Sequence, residues 1–198
     1  MSSVKTLLQL TGRSYAPASL KNATLVVIDT QEEYRSGALR LPALESAVAE
    51  ISRLLQQARE QQRPIVHVRH LGVPGGILDP SGPRGAHLPE CIPQPGEVLI
   101  EKRLPNAFSN PQLHEQLQSI GNLDLIVVGF MTHSSVSTTV RAAKDYGYRV
   151  TLVESACATR DLPDRTGGSM PAEQVQRAEL IALADNFACV VDNLQALN

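Results

Sequence analysis

Tryptophan is absent from this chain, aromatic residues make up only 4% of it, and the formal charge over 198 residues is −2. Without a basic excess or many flat rings, it has neither the electrostatic footprint nor the stacking platforms of a nucleic-acid binder. Cysteine is scarce too. Cys91, Cys157 and Cys189 are widely separated and form no C-x-x-C pair, which fits buried reduced thiols better than a disulfide framework or a zinc site. No apolar run approaches the roughly 20 residues of a membrane span. The N-terminal stretch around Lys5 has no long apolar segment ending in a small-residue cleavage site. These absences lead us to expect a cytoplasmic protein with a small-molecule partner, no nucleic acid and no membrane.

What is present is the material of an ordinary core. Hydrophobic residues make up 42% and charged residues 19%, and the length suits a single domain spanning 1–198 that needs no metal or disulfide staple. After a short apolar segment at Leu7, Leu8 and Leu10 and an extended lead-in to Asn22, apolar runs alternate with helical patterns. Thr24 to Asp29 (TLVVID) is a continuous β-branched run, as expected of a strand covered on both faces. Leu44, Val48, Ile51, Leu55 and Ala58 then recur at helical spacing, with Pro42 at the first helical position. Ile65 to Arg69 completes a right-handed β-α-β unit. Glu97 to Lys102, Leu123 to Gly129, Arg149 to Val153 and Ala188 to Val191 read as further strands. Helices are expected over Pro111 to Ile120 on Leu113 and Leu117, and after Gly129 to about Tyr146 on Val136, Val140 and Ala143. A last helix is expected over Pro171 to Asp185 on Val175, Ala178 and Ile181 or Ala182. The pattern predicts a three-layer α/β/α sandwich with a mostly parallel sheet of about six strands.

One segment breaks the alternation. Leu71 to Gly96 has Gly or Pro at 12 of 26 positions, and a loop of that length is usually a lid, a binding wall or a subunit interface.

Chemistry collects where strands end. Asp29 closes the first strand and Lys102 the third, while the fourth runs through Gly129 into the turn Thr132-His133-Ser134-Ser135 at the start of a helix. Open α/β sheets place ligands at this carboxyl edge, and a helix start points unpaired N–H groups at them. An aspartate beside a lysine can be a structural salt bridge, or the lysine can orient it and stabilise negative charge on a substrate. His133 is a candidate base or substrate contact, although a structural histidine at a helix start is the plainer reading. Tyr34, Arg69 and Phe108 are candidate pocket walls, since they follow Asp29, end the second strand and follow Lys102. His67 and His70 are three apart on a strand and so face opposite ways. With only His87 in the loop besides them, no required metal and no cofactor are expected.

These residues carry a resemblance. TLVVIDTQEEY, HVRH followed by the Gly/Pro-rich loop, GEVLIEKRLPNAF, and GFMTHSSVSTTVRAAKDYGYRVTLVESACATRDL stand in order along nearly the whole chain. Together they resemble the isochorismatase-like superfamily of cysteine hydrolases, which includes nicotinamidases and N-carbamoylsarcosine amidase. The resemblance implies catalytic roles for Asp29 and Lys102, and it places Ser135 where the family has a nucleophilic cysteine. It further implies a cis peptide at Phe130-Met131, an oxyanion hole from the backbone N–H groups of Met131 and Ser135, a packing role for Cys157, and assembly as a homo-oligomer, dimer or tetramer. The D-x-H arrangement of zinc-associated nicotinamidases is missing.

Serine at position 135 shapes the expected reaction. A thiol is readily activated by a helix N-terminus and a nearby cation, whereas a hydroxyl needs an aligned base, and Asp29 alone is a poor one for serine. True isochorismatases lack the cysteine and hydrolyse a vinyl ether with the aspartate as acid, a route that needs no nucleophile at this position. The preferred expectation is therefore ether hydrolysis with Asp29 as acid/base. The alternative is amide or ureide C–N hydrolysis through Ser135, or through a native cysteine there. The rival from another class is a catalytically silent binding or scaffold protein.

Overall fold

A computed structural model describes residues 4–197; the first three residues of the expected lead-in, and Asn198, lie outside the described residues. In chain order the elements are α1 (Leu7–Leu10), β1 (Thr24–Ile28), α2 (Glu33–Ser36), α3 (Leu44–Glu60), β2 (Ile65–His70), β3 (Val98–Lys102), α4 (Gln112–Ile120) and β4 (Asp124–Phe130). There follow α5 (Ser137–Asp145), β5 (Arg149–Ala158), β6 (Leu162–Pro163), β7 (Ser169–Met170), α6 (Ala172–Asn186) and β8 (Ala188–Val191).

Six strands form one sheet in the order β3-β2-β1-β4-β5-β8, every neighbouring pair parallel. The β-branched run of β1 lies at its centre and is buried throughout. Because strand side chains alternate, Leu25 and Val27 join the core under α3, with Ile51, Leu54 and Leu55. Val26 and Ile28 join the opposite core, with Leu113 and Leu117 of α4, Val140 of α5 and Leu180 of α6. This is the expected α/β/α sandwich.

Some boundaries differ from the sequence reading for local reasons. Helix α3 begins at Leu44 with Ala43 as its flanking residue, so Pro42 stands ahead of the helix. The fifth strand does not stop at Val153: it continues to Ala158, past a register shift opposite Val127 and Gly129 that the apolar run alone does not reveal. In α6, Val175 is buried as expected, but Ile181 is 62% exposed and the inward positions are Leu180 and Leu183. The helix is rolled because Glu179 turns toward α5, where it accepts from Ser137 Oγ and Arg141 Nη2. The short β6-β7 hairpin has no apolar alternation to announce it. Among the described residues no helix is long and apolar enough to cross a membrane.

Candidate active site

The parallel sheet brings the ends of β1, β3 and β4 to one edge, and the backbone there is unusual. Just past β1, Asp29 adopts a φ of 50°, in the left-handed region that non-glycine residues avoid. Beside it, Gly129 pairs with Ile28 and has a φ of 121°. A Cβ at Gly129 would lie 2.1 Å from the Ile28 carbonyl oxygen, so only glycine lets the two strand ends approach this closely. The Phe130–Met131 peptide is cis. A single π turn over Thr132–Val136 then leads into α5, and the Met131 carbonyl accepts from the N–H groups of Ser134 and Val136. The N–H groups of Met131 and Ser135, proposed as oxyanion donors, thus belong to the residue that opens the turn and to one within it.

Lys102 is the hub of the side chains. Its Nζ lies 2.7 Å from Asp29 Oδ2, 3.0 Å from His70 Nδ1 and 3.1 Å from Ser135 Oγ. Asp29, Lys102 and Ser135 are 0%, 2% and 5% exposed. The three residues singled out in the sequence are therefore in one buried cluster. Burial raises the Asp29 pKa above its ordinary value, against the opposing charge and hydrogen bond of Lys102 and the Ser135 hydroxyl. Burial likewise lowers Lys102, against Asp29. Each shift opposes the charged form of its own group, while the charge of the partner works against it. Asp29 Oδ2 is occupied by Lys102, but Oδ1 is buried without a hydrogen-bond partner.

The remaining expected site residues spread out. Tyr34 is 2% exposed and packs edge-on against Phe130 at 5.7 Å, so it backs the cluster from within the core. His133 bonds through Nδ1 to Thr159 Oγ1, just past the end of β5. Arg69 donates to the carbonyls of Gly85 and Pro80 and to Glu101, so it fastens the long loop. Phe108 stacks on Tyr146, with ring centroids 4.8 Å apart, beyond the far end of α5 from Ser135. Neither Arg69 nor Phe108 is among the side chains gathered at Lys102. Cys157, like Cys91, is buried with its thiol pushed up to about 12, as suits packing.

His67 and His70 do diverge. His67 Nε2 lies 2.8 Å from Glu97 Oε2, and Arg59 holds that carboxylate through two nitrogens. Among the described residues no group of three or more His, Cys, Asp or Glu gathers as metal ligands.

Two residues of the site escaped the sequence reading. Gln31, wholly buried, accepts from the His70 N–H at 2.9 Å and donates to the His70 carbonyl at 3.0 Å and the Gly85 carbonyl at 2.9 Å. It locks the end of β2 to the long loop. His70 itself is the residue paired with Lys102 in the β2–β3 register. The signal was partial: HVRH and EK end consecutive strands, but only the adjacency of those two strands in the sheet sets these last residues side by side. The loop folds down over this edge, with His87 bridging to Gln31 and the Leu88 N–H donating to the Thr30 carbonyl. A groove of about 600 Å³ between α3, β5 and α6 takes in Ala158 and Thr159 but neither Asp29, Lys102 nor Ser135.

The doubly covered parallel sheet thus gathers Asp29, Lys102 and Ser135 into one buried cluster at its carboxyl edge. Residues 23–193 match the Isochorismatase domain, and the chain belongs to the isochorismatase family. It is 34% identical to the secreted isochorismatase effector Isc1 of Verticillium dahliae, over 98% of both chains. It is 36% identical to the isochorismatase family protein YddQ of Bacillus subtilis, over 84% of this chain and 93% of that one. A solved isochorismatase structure from Pseudomonas putida superposes with a TM-score of 0.93 at 58% identity, covering 96% of this chain and 97% of that one.

Proposed function

We propose that this hydrolase cleaves a vinyl ether in a small polar metabolite, with Asp29 as acid/base, Lys102 as its electrostatic partner and no covalent intermediate. The observation that carries the reading is Asp29 Oδ1, a buried oxygen with no partner on a carboxyl whose pKa is raised by burial. Such an oxygen can hold a proton and offer it to a substrate. Protonation of the terminal alkene carbon draws the π electrons into the new C–H bond and leaves the ether carbon positive, an oxocarbenium ion stabilised by the ether oxygen. Water adds there and gives its proton to the Asp29 carboxylate. The resulting hemiketal then breaks its C–O bond to release a ketone and an alcohol. Lys102 stabilises the carboxylate in the interval.

One contact favours a second reading, amide or ureide hydrolysis. Lys102 Nζ is 3.1 Å from Ser135 Oγ, and when the pair is uncharged its lone pair can take the serine proton, as in serine–lysine hydrolases. Met131 and Ser135 N–H groups would then receive the oxyanion. Isochorismate assayed against a panel of nicotinamide and N-carbamoyl compounds separates the two. Ether hydrolysis should survive Ser135→Ala with a loss of less than about tenfold, while acyl transfer through Ser135 should fall by about a thousandfold or more. Loss of isochorismate turnover in Ser135→Ala would overturn the preferred reaction.

A further inference from the structure

The contacts of Lys102 are counted most simply from its nitrogen. An amine nitrogen with four bonding positions uses one for its own chain and has three left, whether three N–H donors in the ammonium or two donors and a lone pair in the neutral amine. Asp29 Oδ2, His70 Nδ1 and Ser135 Oγ occupy those three directions at 2.7, 3.0 and 3.1 Å. Of the three, His70 is the one with no evident share in bond making. Burial, then Lys102, then Arg103 hold its pKa at about 4, so at neutral pH the ring is uncharged. With Nδ1 as the acceptor from Lys102, the ring proton sits on Nε2. The backbone that carries the ring is held as well, because the Gln31 amide bonds to both the main-chain N–H and the carbonyl of His70.

We infer that His70 is a positioning residue that acts through Lys102: its Nδ1 is a fixed third acceptor that keeps the lysine nitrogen between Asp29 and Ser135. Without it, the shorter contact to Asp29 draws Nζ toward β1 and away from position 135. A buried N–H left without an acceptor also disfavours the charged lysine. Both effects weaken the hold of Lys102 on whatever stands at position 135. This inference rests on Lys102 being a working member of the site, the role given to it above, but it is indifferent to which bond is cleaved.

The test therefore needs no substrate. In a Ser135→Cys background, iodoacetamide is used as the probe and alkylation is followed by mass on the peptide carrying position 135, so that the other cysteines do not contribute. The rate is measured against pH, because the thiolate is the reacting form. Adding His70→Leu should move the midpoint up by about one pH unit, roughly a tenfold slower reaction near pH 7. His70→Asn, whose amide oxygen can stand where Nδ1 stands, should remain within about threefold of the background rate. His70→Ala serves in place of His70→Leu should the latter not fold, as judged by its thermal transition. An unchanged midpoint in the folded His70→Leu or His70→Ala chain overturns the inference. So does a His70→Asn chain that behaves like His70→Leu, which would make the ring a packing element. The assignment of the reaction stands or falls separately, on the turnover panel.

Discussion

Asp29 and Glu33 are both 0% exposed carboxylates, four residues apart at the head of the sheet, and the protein uses them in opposite ways. Glu33 gives both oxygens to the backbone: Oε1 accepts from the N–H groups of Ala38 at 2.7 Å and Leu39 at 3.4 Å, and Oε2 from that of Leu78 at 3.4 Å. It ties the segment before α3 to the long loop. Asp29 gives one oxygen to Lys102 and leaves the other without a partner. A buried carboxylate whose acceptors are all taken is a structural element. One with an unused oxygen keeps the capacity to carry a proton, and the difference between the two lies only in what surrounds them.

The contrast is sharpest when each is replaced. Asp29→Asn should lower turnover by about a thousandfold, the scale of a lost general acid, while the chain still folds. Glu33→Gln should leave the turnover of the folded protein within a few-fold of the parent. Equal losses of kcat in the two variants would erase the distinction. Next in size is stability: Glu33→Ala leaves the buried Leu78 N–H without its acceptor, and the partly buried N–H groups of Ala38 and Leu39 without theirs, and should cost about 2–4 kcal/mol in denaturant unfolding, where one fully buried unsatisfied donor costs roughly 1–3 kcal/mol. Gly37 tests the same carboxylate from the other side. A Cβ there would lie 2.1 Å from Glu33 Oε1, so Gly37→Ala should cost about 1–3 kcal/mol by overpacking. A neutral result would show that Glu33 can move without loss.

The smallest effect is in pH. Since burial raises the Asp29 pKa, the folded chain holds that proton more tightly than the unfolded chain does. Its contribution to stability is complete below the unfolded value of 3.8 and is lost as pH rises through the folded pKa. The thermal midpoint of the parent should therefore fall relative to that of Asp29→Asn as pH is raised from about 4, by a few degrees at most for a chain of this size. Parallel curves would remove burial as the dominant influence on Asp29.

Much of this was legible along the chain because it depends on local pattern. The alternation of β-branched runs with 3.6-residue periodicity dictates the sandwich, and the residues at strand ends, Asp29, Lys102 and the turn before Ser135, must reach one edge of any parallel sheet. What the chain order could not supply was which strand ends are neighbours and where the long side chains turn. Arg69 and Phe108 follow strand ends as closely as Ser135 follows Gly129, yet Arg69 is claimed by loop carbonyls and Phe108 by the rings of Tyr146 and Tyr148. His70 joins Lys102 only because β2 lies between β3 and β1, and Gln31 and Glu33 acquire their roles only when the loop folds over them. Periodicity acts over a few residues and is written in the sequence. Whether a buried polar atom finds a partner depends on segments tens of residues away, and that was decided by the tertiary structure alone.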